Sequence, residues 1–322
     1  MQILGWDELT NDQRTQAGLL DWSDWESPGQ TQLLHEPWVH GRPYQDYSSL
    51  VVVERGRPLA RVGVIRVALR DHEGTVPVLG VSDVITDPSE LRRGLATRLM
   101  VEAHARARAD GISTSFLSTR RSWGAHRGYE KLGYADVFSV RLALRAIPRP
   151  ARTTSDERVR VRRGRKSDVR TYQRILDAAS VGRVGFIPRS KGSFDVRLRL
   201  RWSDPKDYLV VSKGGETVGY ALTRTGLREV TCREAVPARP EFRGALLDGV
   251  ERYARGKLLA FGTTTFLSDA ASEFARRGYH RRDRGHWVLM AHALRGSASS
   301  ELGRLRSLFQ DPALFLHQPD TF

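Results

Sequence analysis

The sequence holds a single cysteine, Cys232, in 322 residues. That excludes an internal disulfide framework and fits a reducing compartment. No apolar run approaches the roughly 20 residues that a membrane-crossing helix requires. The first eight residues lack the basic and apolar regions of an export signal. No group of His, Cys and Asp carries metal-ligand spacing, so no metal is expected. Together these absences predict a soluble, cytoplasmic protein with no membrane role. The length suffices for two domains, each with its own core.

Acidic residues are scarce in one part of the chain only. Lys and Arg number 19 against 18 Asp and Glu over residues 1–150, but 31 against 16 over residues 151–295. The whole formal charge of +15 therefore resides in the second half. Three runs carry it: Arg158, Arg160, Arg162, Arg163, Arg165 and Lys166; the alternating Arg197, Arg199 and Arg201; and Arg276, Arg277, Arg281, Arg282 and Arg284 beside Tyr279 and Trp287. Arginines among aromatics suit phosphate backbones and exposed bases, which makes a polyanion one expected partner. A merely solvated basic surface is the plainer reading of the same residues.

Residues 81–100 organise the first half. They read as a buried strand ending near Thr86, a short loop, and an amphipathic helix that runs from Leu95 to about Ala109 and is closed by Gly111. A loop entering a helix leaves several backbone amides without partners, where the helix dipole adds positive character. Such a place seats a pyrophosphate. Gly94 and Ala96 permit close approach, and Arg92 and Arg93 add charge at the rim.

On these residues the chain resembles the GCN5-related N-acetyltransferase (GNAT) superfamily. Its acyl-CoA loop, Arg/Gln-x-x-Gly-x-Gly/Ala, is matched by Leu91, Arg92, Arg93, Gly94, Leu95 and Ala96, except that Leu91 stands where the family has Arg or Gln. The resemblance implies that Val84, Ile85, residues 91–96 and Thr97 hold the donor. A second element, Tyr129-Glu130-Lys131-Leu132-Gly133-Tyr134, resembles the Tyr-x-x-x-Gly-Phe/Tyr signature that closes that fold. By resemblance, Tyr129 protonates the leaving group, a task that suits a neutral phenol; a packed core tyrosine is the alternative. Asp83, on the strand entering the loop, is the main internal candidate for the base that takes the amine proton. Asp46, His72 and Glu73 are weaker ones, and Asp83 equally reads as a solvent-facing residue. Trp22, Trp25, Trp38, Tyr44 and Tyr47 fall where the resembled fold lines its acceptor pocket.

The pattern restarts after a Pro-rich linker, residues 149–157. Phe274-Ala275-Arg276-Arg277-Gly278-Tyr279 repeats the closing element with Phe274 in place of the tyrosine. Residues 243–248 lack Gly at the fourth loop position and place Asp248 where a pyrophosphate would sit. The expected architecture is thus α/β with mixed sheets. It comprises a catalytic GNAT-like domain (1–148), a degenerate, strongly basic one (158–294), and a C-terminal helix and tail (295–322). Phe309, Leu314, Phe315, Leu316 and Phe322 make that tail apolar enough to dock. The arrangement resembles tandem acetyltransferases of the enhanced-intracellular-survival type, without their further C-terminal domain. In those relatives the terminal carboxylate acts as base, which nominates the carboxylate of Phe322, with Asp320, here.

The expected activity is acyl transfer from acyl-CoA, acetyl-CoA foremost, to a primary amine of a small molecule. Two alternatives stand beside it. One is an amide-forming transferase fed by aminoacyl-tRNA docked on the basic half; the other is a nucleic-acid-binding protein without catalysis.

Overall fold

The computed structural model describes residues 1–25, 46–149, 158–189, 191–199, 203–262 and 271–316. The first half runs β1 (Gln2–Gly5), α1 (Asn11–Trp25), β2 (Asp46–Glu54), β3 (Arg57–Arg70), β4 (Thr75–Thr86), α2 (Leu95–Ala109), β5 (Thr114–Arg120), α3 (Gly124–Lys131) and β6 (Ala135–Ala146). The second runs β7 (Val159–Arg163), α4 (Val169–Ala179), α5 (Ser193–Arg199), β8 (Tyr208–Lys213), β9 (Glu216–Thr225), β10 (Glu229–Pro237), α6 (Arg243–Tyr253), β11 (Leu258–Phe261), α7 (Ala271–Arg276) and β12 (His280–Ala293). A last helix, α8 (Ala298–Leu308), follows.

Local chemistry accounts for the shared plan. Arg55 and Gly56 both take positive φ between β2 and β3, as do Gly214 and Gly215 between β8 and β9. These are the two-residue turns whose twist suits a tight hairpin. Helix α2 turns Leu95, Leu99, Met100, Ala103 and Ala107 inward, a stripe at helical spacing, and ends where Gly111 adopts φ 84°. Arg197 and Arg199, which alternate with leucine in the sequence, lie on a helix. The residues α5 turns into the core are Phe194 and Leu198, four apart, and that spacing prevails.

Among the described residues, the twelve strands join one sheet in the order β1-β2-β3-β4-β5-β12-β6-β11-β10-β9-β8-β7. The centre of this order shows an exchange that the sequence pattern does not reveal. β12, the closing strand of the second half, pairs antiparallel with β5 from Trp287↔Arg120 to Ala293↔Thr114. β6, the closing strand of the first half, pairs with β11 from Leu258↔Ala146 to Phe261↔Ala143. The two closing strands also pair with each other. Each half thus completes the core of the other. Val288, Met290 and Leu294 pack with the first half's Leu95, Leu99 and Tyr134, while Ala143 and Ile147 pack with Leu246, Val250 and Phe261.

The sheet of the first half is covered on both faces. Under α2 and α3 lies a core of Leu50, Val52, Val62, Leu79, Val81 and Leu117. On the opposite face Leu69, Val78, Phe116, Leu289 and Ala291 are covered by Leu305 and Leu308 of α8 and by Phe309 and Leu316 beyond it. The tail docks as its composition implies: Phe315 is 2% and Leu316 3% exposed. Phe322 and Asp320, which the sequence nominated as a base, lie outside the described residues.

The exchange has a direct consequence for stability. Each of Val288, Leu289 and Met290 is worth about 1.5–3 kcal/mol when buried, and without β12 the edges of β5 and β6 would be bare. Residues 1–157 expressed alone should therefore lack a cooperative urea transition and aggregate. Co-expression with residues 158–322 should restore a soluble, cooperatively unfolding pair. A monomeric fragment 1–157 with its own sharp transition would contradict the exchange.

Candidate active site

The site begins where two strands part. β4 and β5 are parallel and paired only at Leu79↔Ser115, Gly80↔Phe116 and Val81↔Leu117. The cause lies on the other edge of β4. There Gly63 faces Ser82 and Arg61 faces Ile85, so Val62 alone opposes both Asp83 and Val84. This is a β-bulge; it turns the strand and ends its ladder with β5. Asp83 sits in the bulge with φ 47°, a left-handed conformation uncommon outside glycine. Its carboxylate accepts a 3.3 Å hydrogen bond from the Ser82 hydroxyl. Beyond the bulge, backbone groups of β4 border an open wedge, with Ser118, Thr119 and Arg120 of β5 on its far side.

β4 leads into the loop singled out in the sequence. Asp87 accepts from the amide and hydroxyl of Ser89, 2.9 and 2.7 Å away, and these bonds hold its carboxyl below the ordinary carboxylate range. Arg92 takes φ 66° and Gly94 φ 73°. Alternating left-handed residues make a concave nest of amides. The first intrahelical bond of α2 runs from Arg98 N–H to the Gly94 carbonyl, 3.0 Å. The amides of Leu95, Ala96 and Thr97 precede it and have no carbonyl of the helix to meet. A Cβ added at Gly94 would meet nothing within 4 Å, so glycine is required there by its φ and not by crowding.

The two arginines of the loop differ. Arg93 is tied to both Glu54 oxygens (3.2 and 3.1 Å) and to Glu90 (2.5 Å), so it braces the loop. Arg92 is exposed and carries the rim charge. Leu91 is 58% exposed; it leaves the main-chain cradle intact and supplies no polar contact of its own.

Tyr129 lies on α3, partly buried against the core that also touches Val84, so both border the α2 face of the wedge. Its ring meets Tyr134 edge-on, with centroids 6.0 Å apart. Tyr134 itself is committed elsewhere. Its hydroxyl bonds Ser115 (2.6 Å) and His104 (2.8 Å), and burial raises its pKa far out of range. Of the two, Tyr129 alone lies partly exposed beside the wedge. Gly133, with φ 90°, ends α3 as the motif implies, and its carbonyl meets His292 at 3.1 Å. His292 belongs to β12, so the exchanged strand buttresses the tyrosine pair. Of the weaker base candidates, His72 pairs with Asp311 at 3.1 Å and Glu73 is exposed in its turn. The side chains of Asp46, Trp22, Trp25 and Tyr47, and all of Trp38 and Tyr44, lie outside the described residues.

The second half repeats the geometry and fills it. The described pairing of β10 with β11 runs to Cys232↔Phe261, and β10 bulges at Arg233. Two residues past the last pair, where the first half has Asp83, stands Glu234, fully buried. Arg189 grips both its oxygens (2.9 and 2.5 Å) and Tyr220 donates its hydroxyl at 2.5 Å. Ahead of α6, Arg239 and Phe242 keep negative φ, so no nest forms. Phe274 is fully buried against Phe261 and Tyr279.

The basic runs are partly spent on structure. Arg162 grips both Asp168 oxygens (2.7 and 2.8 Å), and Arg163 bonds the Tyr253 hydroxyl at 3.1 Å. Arg277 bonds Asp248, Glu251 and Glu273, which neutralises the acidic residue of the degenerate loop. Arg165, Lys166, Arg276 and Arg281 are exposed, and the side chains of Arg282 and Arg284 lie outside the described residues.

One cluster escaped the sequence reading. Arg120, at the end of β5, lies against both Trp123 and Trp287, its guanidinium 5.0 and 5.1 Å from the two ring centres. Trp287 reads as part of the second half's basic run, but the exchange delivers it to the first half. Only knowledge of the strand pairing could have found it. Among the described residues, no group of His, Cys, Asp and Glu could hold a metal ion, and no helix is long and apolar enough to cross a membrane.

Residues 25–137 match the family model described as an acetyltransferase (GNAT) domain. No curated protein matches the sequence. Among solved structures, the chain is similar to a probable N-acyltransferase from Enterococcus faecalis, with 13% identity, a TM-score of 0.68, and coverage of 91% of this chain and 73% of that one. Eis1 from Mycobacterium abscessus matches at 15% identity and a TM-score of 0.59, covering 91% and 74% of the two chains. A tandem GNAT protein from the clavulanic acid biosynthesis pathway matches at 13% identity and a TM-score of 0.57, covering 92% and 100%. These likenesses establish the doubled fold across the chain.

The histidines behind the tyrosine pair generate a pH dependence. Burial lowers the pKa of His104 from 6.5 to about 3, and lowers that of His292 in the same direction. The unfolded chain then binds more protons than the folded one between these values, so stability falls as pH drops through 6.5 and levels off near 3. The loss attributable to His104 is about 2 kcal/mol at pH 5. His104→Gln retains a hydrogen-bonding group for Tyr134 but does not titrate. Urea unfolding at pH 7 and pH 5 should show a smaller drop for that variant by about this amount. Equal drops would mean that His104 does not contribute.

Proposed function

We propose, for a tandem GNAT protein with an acetyltransferase domain in its first half and the same fold repeated in its second, that it moves an acyl group from acyl-CoA, acetyl-CoA foremost, to a primary amine of a small molecule. One observation carries this reading. The nest of Arg92 and Gly94 offers free amides of α2 at the mouth of the wedge between β4 and β5. A pyrophosphate fits that cradle through main-chain donors and the helix dipole, which favours a nucleotide-linked donor. From there an extended arm reaches into the wedge, as a third strand would between the parted ones.

The chemistry follows from the neighbours. The amine nitrogen attacks the thioester carbonyl, the carbon–sulfur bond breaks, and an amide and a thiol result. Backbone amides near Val84 and Ile85 stabilise the oxyanion, a service worth about 3–4 kcal/mol for a single donor in a dry site. Asp83, in its bulge, accepts the proton that the amine must lose, directly or through water. Tyr129 gives its phenolic proton to the departing sulfur. The second half, with Glu234 locked by Arg189 and no nest, serves as a structural partner that supplies β12.

The test is thiol release from acetyl-CoA with a panel of amines. Tyr129→Phe should lower kcat by about 10²- to 10³-fold with little change in KM for acetyl-CoA, since the phenol acts in the transition state. Gly94→Val forces a β-branched residue into the left-handed region and should instead raise KM for acetyl-CoA about tenfold or more. Unchanged kcat in the Tyr129 variant would remove it from the mechanism. Tight, salt-sensitive binding of aminoacylated tRNA with acetyl-CoA ignored would move the donor to tRNA and give the exposed Arg165, Lys166, Arg276 and Arg281 their partner.

A further inference from the structure

The cluster at the end of β5 lies on the face of the sheet opposite the cradle and Tyr129. Register decides this. β5 pairs with β12 without interruption from residue 114 to residue 120. Ser115 and Leu117 point to the α2 face, toward Tyr134 and its core. Phe116 points the other way, to Phe309. By strand alternation Ser118 and Arg120 share the side of Phe116, and Trp287, directly opposite Arg120, shares it with Leu289 and Ala291. The cradle at the start of α2 and Tyr129 belong to the opposite side. Whatever meets Arg120 therefore approaches from the face opposite the cradle and Tyr129.

The state of Arg120 says what that is. It is exposed, and no carboxylate among the described residues pairs with it. Its neighbour Arg121 is satisfied by Asp136 (2.6 Å) and Ser139 (3.1 Å). Trp123 and Trp287, with ring centres 5.6 Å apart and planes inclined at 62°, both lie under the guanidinium, whose central carbon is 5.0 and 5.1 Å from those centres. A guanidinium positioned by cation–π contacts offers a planar fork that matches a carboxylate. Ser118, one residue past the last β4–β5 pair, adds a second feature. Its hydroxyl is buried and has no hydrogen-bond partner. It lies about 7 Å nearer the throat than Arg120.

We propose that Arg120, positioned over the rings of Trp123 and Trp287, binds a carboxylate of the acceptor, so that the substrate is an amine that also bears a carboxylate, with Ser118 meeting a polar group between the two. This deepens the acyl-transfer reading and rests on it. It also assigns the second half a direct part in specificity, because Trp287 arrives on the exchanged strand.

The test keeps the two claims apart. Acetyl-CoA binding is measured first by calorimetry; its absence would count against the donor reading. Matched amines with and without the carboxylate (lysine and 1,5-diaminopentane, arginine and agmatine, 4-aminobutyrate and propylamine) are then compared by thiol release and by tryptophan-fluorescence titration in the presence of CoA. The expected result is a preference of at least tenfold for the carboxylate-bearing member in one or more pairs. Arg120→Ala should abolish it and Arg120→Lys should keep part of it, with the acetyl-CoA Kd unchanged. Loss of acetyl-CoA affinity in Arg120→Ala would assign the arginine to a donor phosphate and overturn the proposal. No carboxylate preference in any pair, including no binding by either series, would overturn it as well.

Discussion

The bulge at Asp83 and Val84 is the constraint on which the site depends. One residue of β3 faces two of β4, and the parallel ladder with β5 ends at Val81 and Leu117. Parallel neighbours in a sheet otherwise stay paired along their length, leaving no room for a ligand between them. The parting creates the wedge, and the same strand then delivers the chain to the nest at Arg92 and Gly94. The opposite edge of β5 is held by seven consecutive pairs with β12, so the wedge opens on one side only. An exchanged strand from the second half thus fixes the rigid wall of the first half's site.

The second half shows the same geometry with its chemistry removed. β10 bulges in the corresponding place, but the residue that aligns with Asp83 is a buried Glu234 held by Arg189 and Tyr220. Breaking such a pair by removing Arg189 would leave an uncompensated charge, at a cost of about 3–5 kcal/mol. The sole cysteine, Cys232, marks the last paired position; burial raises its pKa, so it stays a protonated core residue. In the proposed reading the second half is a scaffold; its excess of arginine is partly consumed by Asp168, Asp248, Glu251 and Glu273.

Local signals made much of this legible in advance. The loop at residues 91–96 and the element at residues 129–134 are set by backbone requirements, a left-handed glycine and a helix end, and such requirements leave marks in the sequence. The repeat at residues 274–279, the loss of the tyrosine there, and the apolar tail were legible for the same reason. The exchange of β6 and β12 was not, because strand order depends on pairings between residues about 150 apart and leaves no local trace. In sequence Trp287 stands beside Arg281 and Arg282, although its ring lies against Trp123 in the other half. Counting charge also overstated the free basic surface, since Arg162 and Arg277 hold carboxylates that composition cannot assign to them.

The central claim is that the chain carries one donor site, formed by the nest ahead of α2 in the first half. Calorimetric titration of the full chain with acetyl-CoA, for the native protein and for Gly94→Val, tests it most directly. The account predicts one molecule bound per chain, with affinity reduced about tenfold or more by the substitution. Two molecules bound, or one whose affinity ignores Gly94, would contradict it.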